Sequence, residues 1–153
     1  MQIQKSFFSH DASIVAKELL GKVLVRNLKN KILKGKIVET EAYYGEEDPA
    51  SRATKNGDLR ETMLSSPATI LVYGVHNNWL INFVTGKKGK AEAVLLRALE
   101  PLNFNEKCSG PGLLTKALKI DKKFHNKNIN ENNELWLENS EKNENFEIQE
   151  SYR

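Results

Sequence analysis

Several features that would assign this 153-residue chain to a specialised class of protein are scarce or missing. Its single cysteine, Cys108, excludes an intramolecular disulfide and is typical of a reducing compartment. Its histidines, His10, His76 and His125, lack the short spacings of a zinc site, so we predict no metal and no cofactor. No apolar run approaches the roughly 18 residues of a membrane span, which predicts no membrane partner. Residues 1–13 lack a basic region followed by an apolar run, from which we expect no secretory signal and a cytoplasmic location.

Charge is unevenly distributed along the chain. Residues 131–153 hold seven glutamates against Lys142 and Arg153, a balance of −5, so the formal net charge of +3 leaves +8 on residues 1–130. A basic body with an acidic end suits a domain that binds a polyanion. The Asn- and Glu-rich residues 139–153 are expected to form a frayed acidic tail.

The pattern of apolar and turn residues predicts one α+β domain over residues 1–153. A short helix is predicted over 12–20, with Asp11 or Ser9 as its N-cap. A second helix is predicted to begin at Pro111. Strands are predicted over 22–26, 32–43, 69–75, 79–85, 93–99 and 135–137, with a tight turn at 76–78. We expect a curved, mainly antiparallel β-sheet flanked by helices, with a protruding β-hairpin.

The stretch KGKIVETEAYYGEEDPASR, residues 34–52, begins as a strand and ends in an acidic loop. Alternate side chains of a strand share a face. This predicts one face with Ile37, Glu39, Glu41 and Tyr43 and an opposite, core-facing one with Val38, Thr40, Ala42 and Tyr44. The first face presents two carboxylates and a phenol, a combination suited to acid–base chemistry. Solvated glutamates on an exposed strand would produce the same pattern.

Six segments together resemble one family, the alkyladenine (3-methyladenine) DNA glycosylases of the mammalian type. They are AKELLGKVLVR (16–26), GKIVETEAYYGEEDPAS (35–51), TILVYGVHNNWLIN (69–82), AVLLRALEP (93–101), CSGPGLLTKAL (108–118) and LWLE (135–138). The resemblance covers about residues 12–138, and ETEAY and VLLRALEP are its most specific parts. It implies a monomeric DNA repair enzyme without a cofactor, which acts on double-stranded DNA containing damaged purines. The implied fold is that of the C-terminal domain of methionyl-tRNA formyltransferase.

The resemblance also implies a reaction. A damaged nucleotide is rotated out of the duplex, and water hydrolyses its N-glycosidic bond. The second glutamate of ETEAY activates this water, a role that falls here on Glu41. Tyr43 would stack against the flipped base, because an aromatic face attracts a ring made cationic by alkylation.

Two further residues match family positions near the reacting bond. Asn82 matches the asparagine that rejects the exocyclic amine of guanine. Arg97 matches an arginine that orients the hydrated sugar-phosphate region. A structural salt bridge from Arg97 to Glu39 or Glu41 would also explain a charge inside AVLLRAL.

The hairpin TILVYGVHNNWLIN matches the family element that pushes a side chain into the gap left by the flipped nucleotide. With one deletion near the tip, Tyr73 falls on the second base-stacking tyrosine and His76 on the intercalating tyrosine. In a second register, Tyr73 itself is the wedge. We favour the first, because it leaves HNN at the turn of an evenly paired hairpin. A core aromatic at Tyr73 and a solvated turn residue at His76 are the alternatives.

The start of the second helix can offer the backbone N–H groups of Gly110 and Gly112 to a phosphate, although a helix cap would look the same.

The chain also departs from the family pattern. The family has a histidine where this chain has Arg52, which we place in the base pocket or turned outward to a phosphate. Leu113 stands where the family usually has a lysine. The family continues beyond the position of Arg153, so we expect modest stability and DNA affinity.

Two other functions compete with a monofunctional glycosylase. A lyase would need a lysine nucleophile, and Lys36 lies on the same strand as Glu41. A non-catalytic module that binds damaged DNA or RNA would share the fold, but it needs no carboxylate to activate water. Salt-dependent binding is expected of either nucleic-acid function.

Overall fold

Strands dominate the computed structural model, which describes residues 3–44 and 61–140. The strands are β1 (Val23–Leu28), β2 (Lys31–Tyr44), β3 (Ile70–Val75), β4 (Asn78–Thr85), β5 (Glu92–Pro101) and β6 (Leu135–Glu138). The helices are α1 (Ala12–Leu19) and α2 (Pro111–Ala117), with 3-10 turns at Lys5–Phe8, Lys122–Phe124 and Ile129–Glu131. Residues 61–63 are also helical. The predicted strands are confirmed, with ends that differ by at most two residues, and both predicted helices begin at the expected residue.

The six strands form one curled antiparallel sheet in the order β3-β4-β5-β2-β1-β6. Strand β2 is the longest, with 14 residues, and pairs with β5 on one side and β1 on the other. Hairpins connect β1 to β2 and β3 to β4, as expected for antiparallel strands joined by short turns. The predicted α+β class with a curved, antiparallel sheet is confirmed.

Local sequence explains where α1 begins and ends. The side chain of Asp11 accepts a hydrogen bond from the Ser13 amide at 3.0 Å, so Asp11 is the N-cap. After the helix, Gly21 has a φ of 90°, a left-handed conformation that glycine adopts without steric penalty. Residues Val15, Ala16 and Leu19 share the buried face.

The two faces of the sheet have different partners. On one face, side chains of α1, α2 and the 3-10 turns pack into the main core, where Phe8, Leu24 and Phe83 are fully buried. On the other face lies a smaller group, which we call the second cluster: Met63, Leu71, Ala91 and Ala93, with half-buried Tyr43, Leu64 and Tyr73 packed against it. Neighbouring residues of one strand alternate between the main core and the second cluster, as pleating requires.

Within residues 3–44 and 61–140, no helix is long and apolar enough to cross a membrane. The predicted acidic loop, including Arg52, lies outside the described residues, as does most of the predicted tail over 139–153. The single-domain prediction for residues 1–153 stays a prediction.

Candidate active site

A double irregularity in the β2–β5 ladder decides which side chains face the second cluster. Ile37 pairs with Leu99 and Thr40 with Leu96, but the pairing shifts on both sides of Glu39. Regular alternation would place positions 37 and 40 on opposite faces. Ile37, Leu99 and Leu96 nevertheless all belong to the main core. Bulges of this kind redirect side chains and occur often beside active sites.

The predicted alternation is therefore wrong at the start of the stretch. Ile37, expected on the face of Glu41, is fully buried in the main core. Val38, expected to face the core, is 49% exposed. Beyond the bulge the prediction is confirmed, with Ala42 on the main core and Tyr43 on the second cluster. The bulge thus separates a structural half of β2 from a half that can carry function.

Four residues form a row across β2, β5, β4 and β3. Glu41 pairs with Leu95, Leu95 with Asn82, and Asn82 with Leu71. Directly opposed side chains lie on one face, and the row lies on the face of the second cluster, which contains Leu71. Asn82 is 2% exposed, and its Nδ2 donates to the Leu71 carbonyl at 3.3 Å. The fold thereby brings Glu41 and Asn82 to one face of the sheet.

Arg97 joins both carboxylates of the stretch. Its Nη1 lies 2.7 Å from Glu41 Oε2, and its Nε lies 3.2 Å from Glu39 Oε1. The Glu41 side chain is 17% exposed and that of Glu39 57%, so Glu41 is the inner carboxylate. Burial lowers the pKa of the Arg97 guanidinium, but hydrogen bonds and charge from Glu41 and Glu39 outweigh burial and raise this pKa. The salt bridge considered from the sequence is present, and it holds Arg97 beside the candidate base.

Two candidate stacking residues reach the second cluster from different strands. Tyr43 pairs with Ala93, and Tyr73 lies two residues after Leu71 on β3. Both rings are half-buried against the cluster. The packing of Tyr73 agrees with the core-aromatic alternative, and it also gives the row of Glu41 an aromatic border on two sides.

The β3–β4 hairpin turns at His76 and Asn77, with Val75 paired to Asn78. Both turn residues have positive φ, 50° and 65°, the combination found in type I′ turns. His76 is exposed at the tip, and Tyr73 lies inside β3. This is the evenly paired hairpin favoured from the sequence, with Asn78 already in β4. The role of His76 as a wedge stays a prediction.

Helix α2 supports the β4 side of this hairpin. The Thr115 hydroxyl donates to the Trp79 carbonyl at 2.7 Å. A Cβ added at Gly112 would lie 2.8 Å from the Cβ of Asn78, so this close approach requires glycine. Gly110 is the N-cap of α2, with extended backbone. Phosphate binding by Gly110 and Gly112 stays a prediction. Sequence reasoning missed the contact, because no local signal links α2 to a hairpin so distant in the chain.

Helix α1 holds β2 on both sides of Glu41. The Thr40 hydroxyl donates to the Ala16 carbonyl at 2.8 Å. The Tyr44 hydroxyl donates to Asp11 Oδ2 at 2.6 Å. Both contacts lie on the main-core face, so they fix the backbone without occupying the face of Glu41.

The contact at the end of β2 is a small hydrogen-bonded network. The Tyr44 hydroxyl also accepts from the Ser13 amide at 2.9 Å, and Glu92, paired with Tyr44, accepts from the Ala12 amide at 2.9 Å. The hydrogen bond from Tyr44, together with those from Ser13, lowers the pKa of Asp11 despite burial. Burial raises the pKa of Tyr44, and its hydrogen bond to Asp11 adds to this.

An open groove at the far end of β1 and β2 contains none of the candidate residues. It is lined by Arg26, Asn27, Leu28, Lys29, Lys31, Leu33, Glu106, Ala117, Lys119, Lys123 and Glu134. Arg26 is 3% exposed and donates to the carbonyls of Leu118 at 2.9 Å and Lys119 at 3.3 Å. Burial lowers the pKa of Arg26. We assign Arg26 to stabilising the C-terminal end of α2.

Within the described residues 3–44 and 61–140, no three His, Cys, Asp or Glu side chains are grouped as metal ligands. Arg52 lies outside these residues, so its predicted place in the base pocket stays a prediction.

Comparison with known proteins identifies the family to which the chain is similar. The family model for methylpurine-DNA glycosylase matches residues 6–153, a range that contains every candidate site residue. Relatives named "Putative 3-methyladenine DNA glycosylase" include one from Aeropyrum pernix, 43% identical over 124 residues. A second, from Legionella pneumophila strain Lens, is 42% identical over 135 residues, and a third, from Clostridium perfringens strain SM101, is 38% identical over 178 residues.

The lengths of these proteins differ. The alignments cover 78%, 84% and 100% of this chain, respectively. They cover 64% of the Aeropyrum pernix protein, 72% of the Legionella pneumophila protein and 87% of the Clostridium perfringens protein. The chain thus spans slightly less than two thirds of the first relative.

Proposed function

The chain belongs to the methylpurine-DNA glycosylase family, a family of DNA repair glycosylases, and we propose that it removes alkylated or deaminated purines from double-stranded DNA. Glu41 is the proposed activator of the attacking water. The observation that carries the proposal is the 2.7 Å ion pair of Glu41 with Arg97, in one row with Asn82 and beside an aromatic-bordered apolar surface. This combination of a held carboxylate and a stacking surface suits the hydrolysis of a flipped purine nucleotide.

In the proposed reaction, the bond between C1′ of the sugar and the purine nitrogen breaks, and its electrons leave with the base. The sugar gains oxocarbenium character, water oxygen forms the new bond to C1′, and the water proton passes to Glu41. The negative charge of Glu41 also stabilises the positive charge that develops on the sugar. Glu41 suits both tasks because it is largely shielded from solvent and held by Arg97. A purine alkylated on N3 or N7 is already cationic, so it departs as a neutral base. A deaminated purine departs with the bond electrons as an anion and takes up a proton from solvent water.

The proposed base pocket is built on the second cluster. Tyr43 and Tyr73 would contact the flipped base, and their π faces favour a cationic ring over a normal purine. Asn82 forms the proposed wall: its amide is buried and donates to the Leu71 carbonyl, so turning away from an incoming base would cost this hydrogen bond. We propose that its fixed bulk excludes the exocyclic amine of guanine. Arg52 is proposed as a further pocket residue.

The proposed DNA partner approaches from the hairpin side. His76, exposed at a tight turn, is proposed to fill the gap left by the flipped nucleotide. Gly110 and Gly112 are proposed to face the DNA backbone. The protein is proposed to act as a monomer in the cytoplasm, with access to chromosomal DNA and without a cofactor.

We further propose that the enzyme is monofunctional. Lys36 lies five residues before Glu41 on β2, about 15 Å along the strand. A covalent sugar adduct at Lys36 would therefore leave Glu41 far from C1′. Borohydride treatment during turnover should trap no protein–DNA adduct, and a trapped adduct would establish a lyase instead.

The testing experiment is single-turnover base release from duplex oligonucleotides that each carry one lesion: an alkylated adenine, hypoxanthine or ethenoadenine. Wild type is compared with Glu41→Gln, which should lose about 100-fold or more in rate while still binding the duplex. The matched control is Glu39→Gln, because Glu39 contacts the same guanidinium from a more exposed position. This control should retain most of the rate.

Three outcomes would contradict the proposal in different ways. Equal loss in both variants would assign the carboxylates to holding Arg97 and not to the reaction. An unchanged rate in Glu41→Gln would remove Glu41 from the mechanism. Lesion-selective binding without base release by wild type would favour the non-catalytic binding module.

A further inference from the structure

The outer edge of β3 is covered by a short segment from later in the chain, residues 126–128. Strand β3 is the last strand of the sheet on its side. The Asn126 amide donates to the Ile70 carbonyl at 2.8 Å, and the Ile70 amide donates to the Lys127 carbonyl at 2.7 Å. Such covering protects an edge strand whose amides would otherwise be unpaired.

His125 extends this cover to the middle of β3 through a side chain. Its Nδ1 lies 3.0 Å from the amide nitrogen of Val72. On the other side of the ring, its Nε2 lies 3.3 Å from the hydroxyl of Thr62, which donates to Asn126 Oδ1 at 2.8 Å. The imidazole thus bridges an edge strand and the segment before it in the chain.

These contacts define the protonation of the ring. A backbone amide can only donate, so His125 Nδ1 must carry a lone pair. The proton of the Thr62 hydroxyl is directed to Asn126, so the Thr62 oxygen accepts from Nε2–H. The geometry therefore assigns to His125 the neutral tautomer with its proton on Nε2.

Both partners of the ring are next to pocket residues. Val72 lies between Leu71 and Tyr73 on β3, and Thr62 precedes Met63. Leu71 and Met63 belong to the second cluster, and Tyr73 packs against it. The ring therefore links the strand that presents Tyr73 to the segment that presents Met63.

We propose that His125 is a positioning residue of the base pocket, which in its neutral Nε2–H form fixes Tyr73 relative to Met63. The inference rests on the proposed function for the meaning of the pocket, but the tautomer and the linkage are properties of the fold. Of the common side chains, a neutral imidazole supplies an acceptor and a donor on opposite edges of one rigid ring. A carboxylate would supply only acceptors at this place.

The first test is nitrogen NMR of the 15N-histidine-labelled full chain at pH 7. The expected result for His125 is an unprotonated Nδ1 and a protonated Nε2, with a cross-peak linking Nδ1 to the Val72 amide. A proton on Nδ1 would overturn the proposal. This readout does not depend on any enzymatic activity, so it stands apart from the test of Glu41.

The second test compares base release from two lesions, hypoxanthine and ethenoadenine, in His125→Phe, His125→Asn and Thr62→Val. A displaced Tyr73 ring should change the ratio of the two rates about 10-fold in His125→Phe. Loss of folded protein would lower both rates equally and leave the ratio unchanged. His125→Asn retains an acceptor for Val72 and should restore the ratio to within about threefold, while Thr62→Val should shift it in the direction of His125→Phe.

His10→Phe is the matched control, because His10 is exposed elsewhere on the chain. An unchanged ratio in both His125→Phe and Thr62→Val, in samples whose circular dichroism matches wild type, would overturn the positioning role even if the tautomer is as assigned. If wild type releases no base, the proposed function fails. The linkage is then decided by whether the Tyr73 ring and Met63 methyl signals shift together in Thr62→Val, and static signals would reject it.

Discussion

Glu41 and Asn82 lie two strands apart in one row, because Leu95 is paired with both. Neighbouring strands are about 4.8 Å apart, so the two backbone positions are separated by about 10 Å. In the proposed function, a flipped nucleotide would lie over Leu95, with its sugar next to Glu41 and the edge of its base next to Asn82. Reaction and recognition are thereby assigned to two different positions of the row, Glu41 on β2 and Asn82 on β4.

Asn82→Ser tests the recognition position of the row. Removing the held amide should admit the exocyclic amine of guanine and raise release of 7-methylguanine relative to hypoxanthine by about 10-fold. The lost hydrogen bond to the Leu71 carbonyl should lower the free energy of unfolding by about 1 kcal/mol. Base release under single-turnover conditions measures the ratio. Asn133→Ser, at an exposed position, serves as the control, and an unchanged ratio in Asn82→Ser would assign exclusion of guanine to another residue.

Gly112→Ala tests the support of the hairpin by α2. The added methyl group would lie 2.8 Å from both Cβ and Cγ of Asn78, so the hairpin and α2 must move apart. We expect weaker binding of a lesion duplex and slower base release, by about 10-fold, with a minor change in thermal stability. Gly110→Ala is the matched control, because the nearest atom to its Cβ would be Leu113 Cδ1 at 3.8 Å. Equal effects of the two substitutions would point to the backbone of the α2 start instead of the contact with Asn78.

Tyr44→Phe tests the attachment of β2 to α1. Loss of the hydroxyl removes the hydrogen bonds to Asp11 and Ser13 and should lower the free energy of unfolding at pH 7 by about 1 kcal/mol. Urea unfolding measures this difference. The Thr40 contact with the Ala16 carbonyl remains in the variant, so the fold should persist.

The difference in free energy of unfolding between wild type and Tyr44→Phe should depend on pH. The pKa of Asp11 is lowered in the folded state, so its contribution is present above the unfolded value of about 4 and is lost as pH falls through the lower folded value. The pKa of Tyr44 is raised, so its contribution is present below about pH 10 and is lost as pH rises further. Wild type and Tyr44→Phe should therefore converge at both ends of the pH range. Asp11→Asn lacks the titrating carboxylate, so in that background the effect of Tyr44→Phe should be constant from pH 2.5 to pH 7. The same constancy with Asp11 present would exclude the hydrogen bond to Asp11 as the source of the stability difference.

Much of the fold follows from local sequence. Alternation of apolar residues located the strands, and Asp11 and Gly21 marked the ends of α1. The two asparagines that follow His76 marked the hairpin turn. These signals act over a few residues, so a single chain displays them. The resemblance then placed Glu41 and Arg97 in one site, and the sheet brings them together.

The remaining features depend on contacts between distant segments. The bulge has no glycine or proline at positions 37–40 to announce it, so Ile37 and Val38 were assigned to the wrong faces. The approach of Gly112 to Asn78 depends on the packing of α2 against β4. The role of His125 depends on the path of a segment more than 50 positions after Val72. None of these follows from propensity or periodicity.

The irregularities of β2 and β5 cancel, since the ladder has the same register before Ile37 and after Thr40. Each strand has two residues in this interval, Val38 and Glu39 on one and Arg97 and Ala98 on the other. A one-residue slip moves every later side chain to the opposite face. Deleting a residue from β2 alone would therefore turn Glu41 and its neighbours towards α1. Changes of length in these two strands are compatible with the site only when one strand gains or loses a residue together with the other.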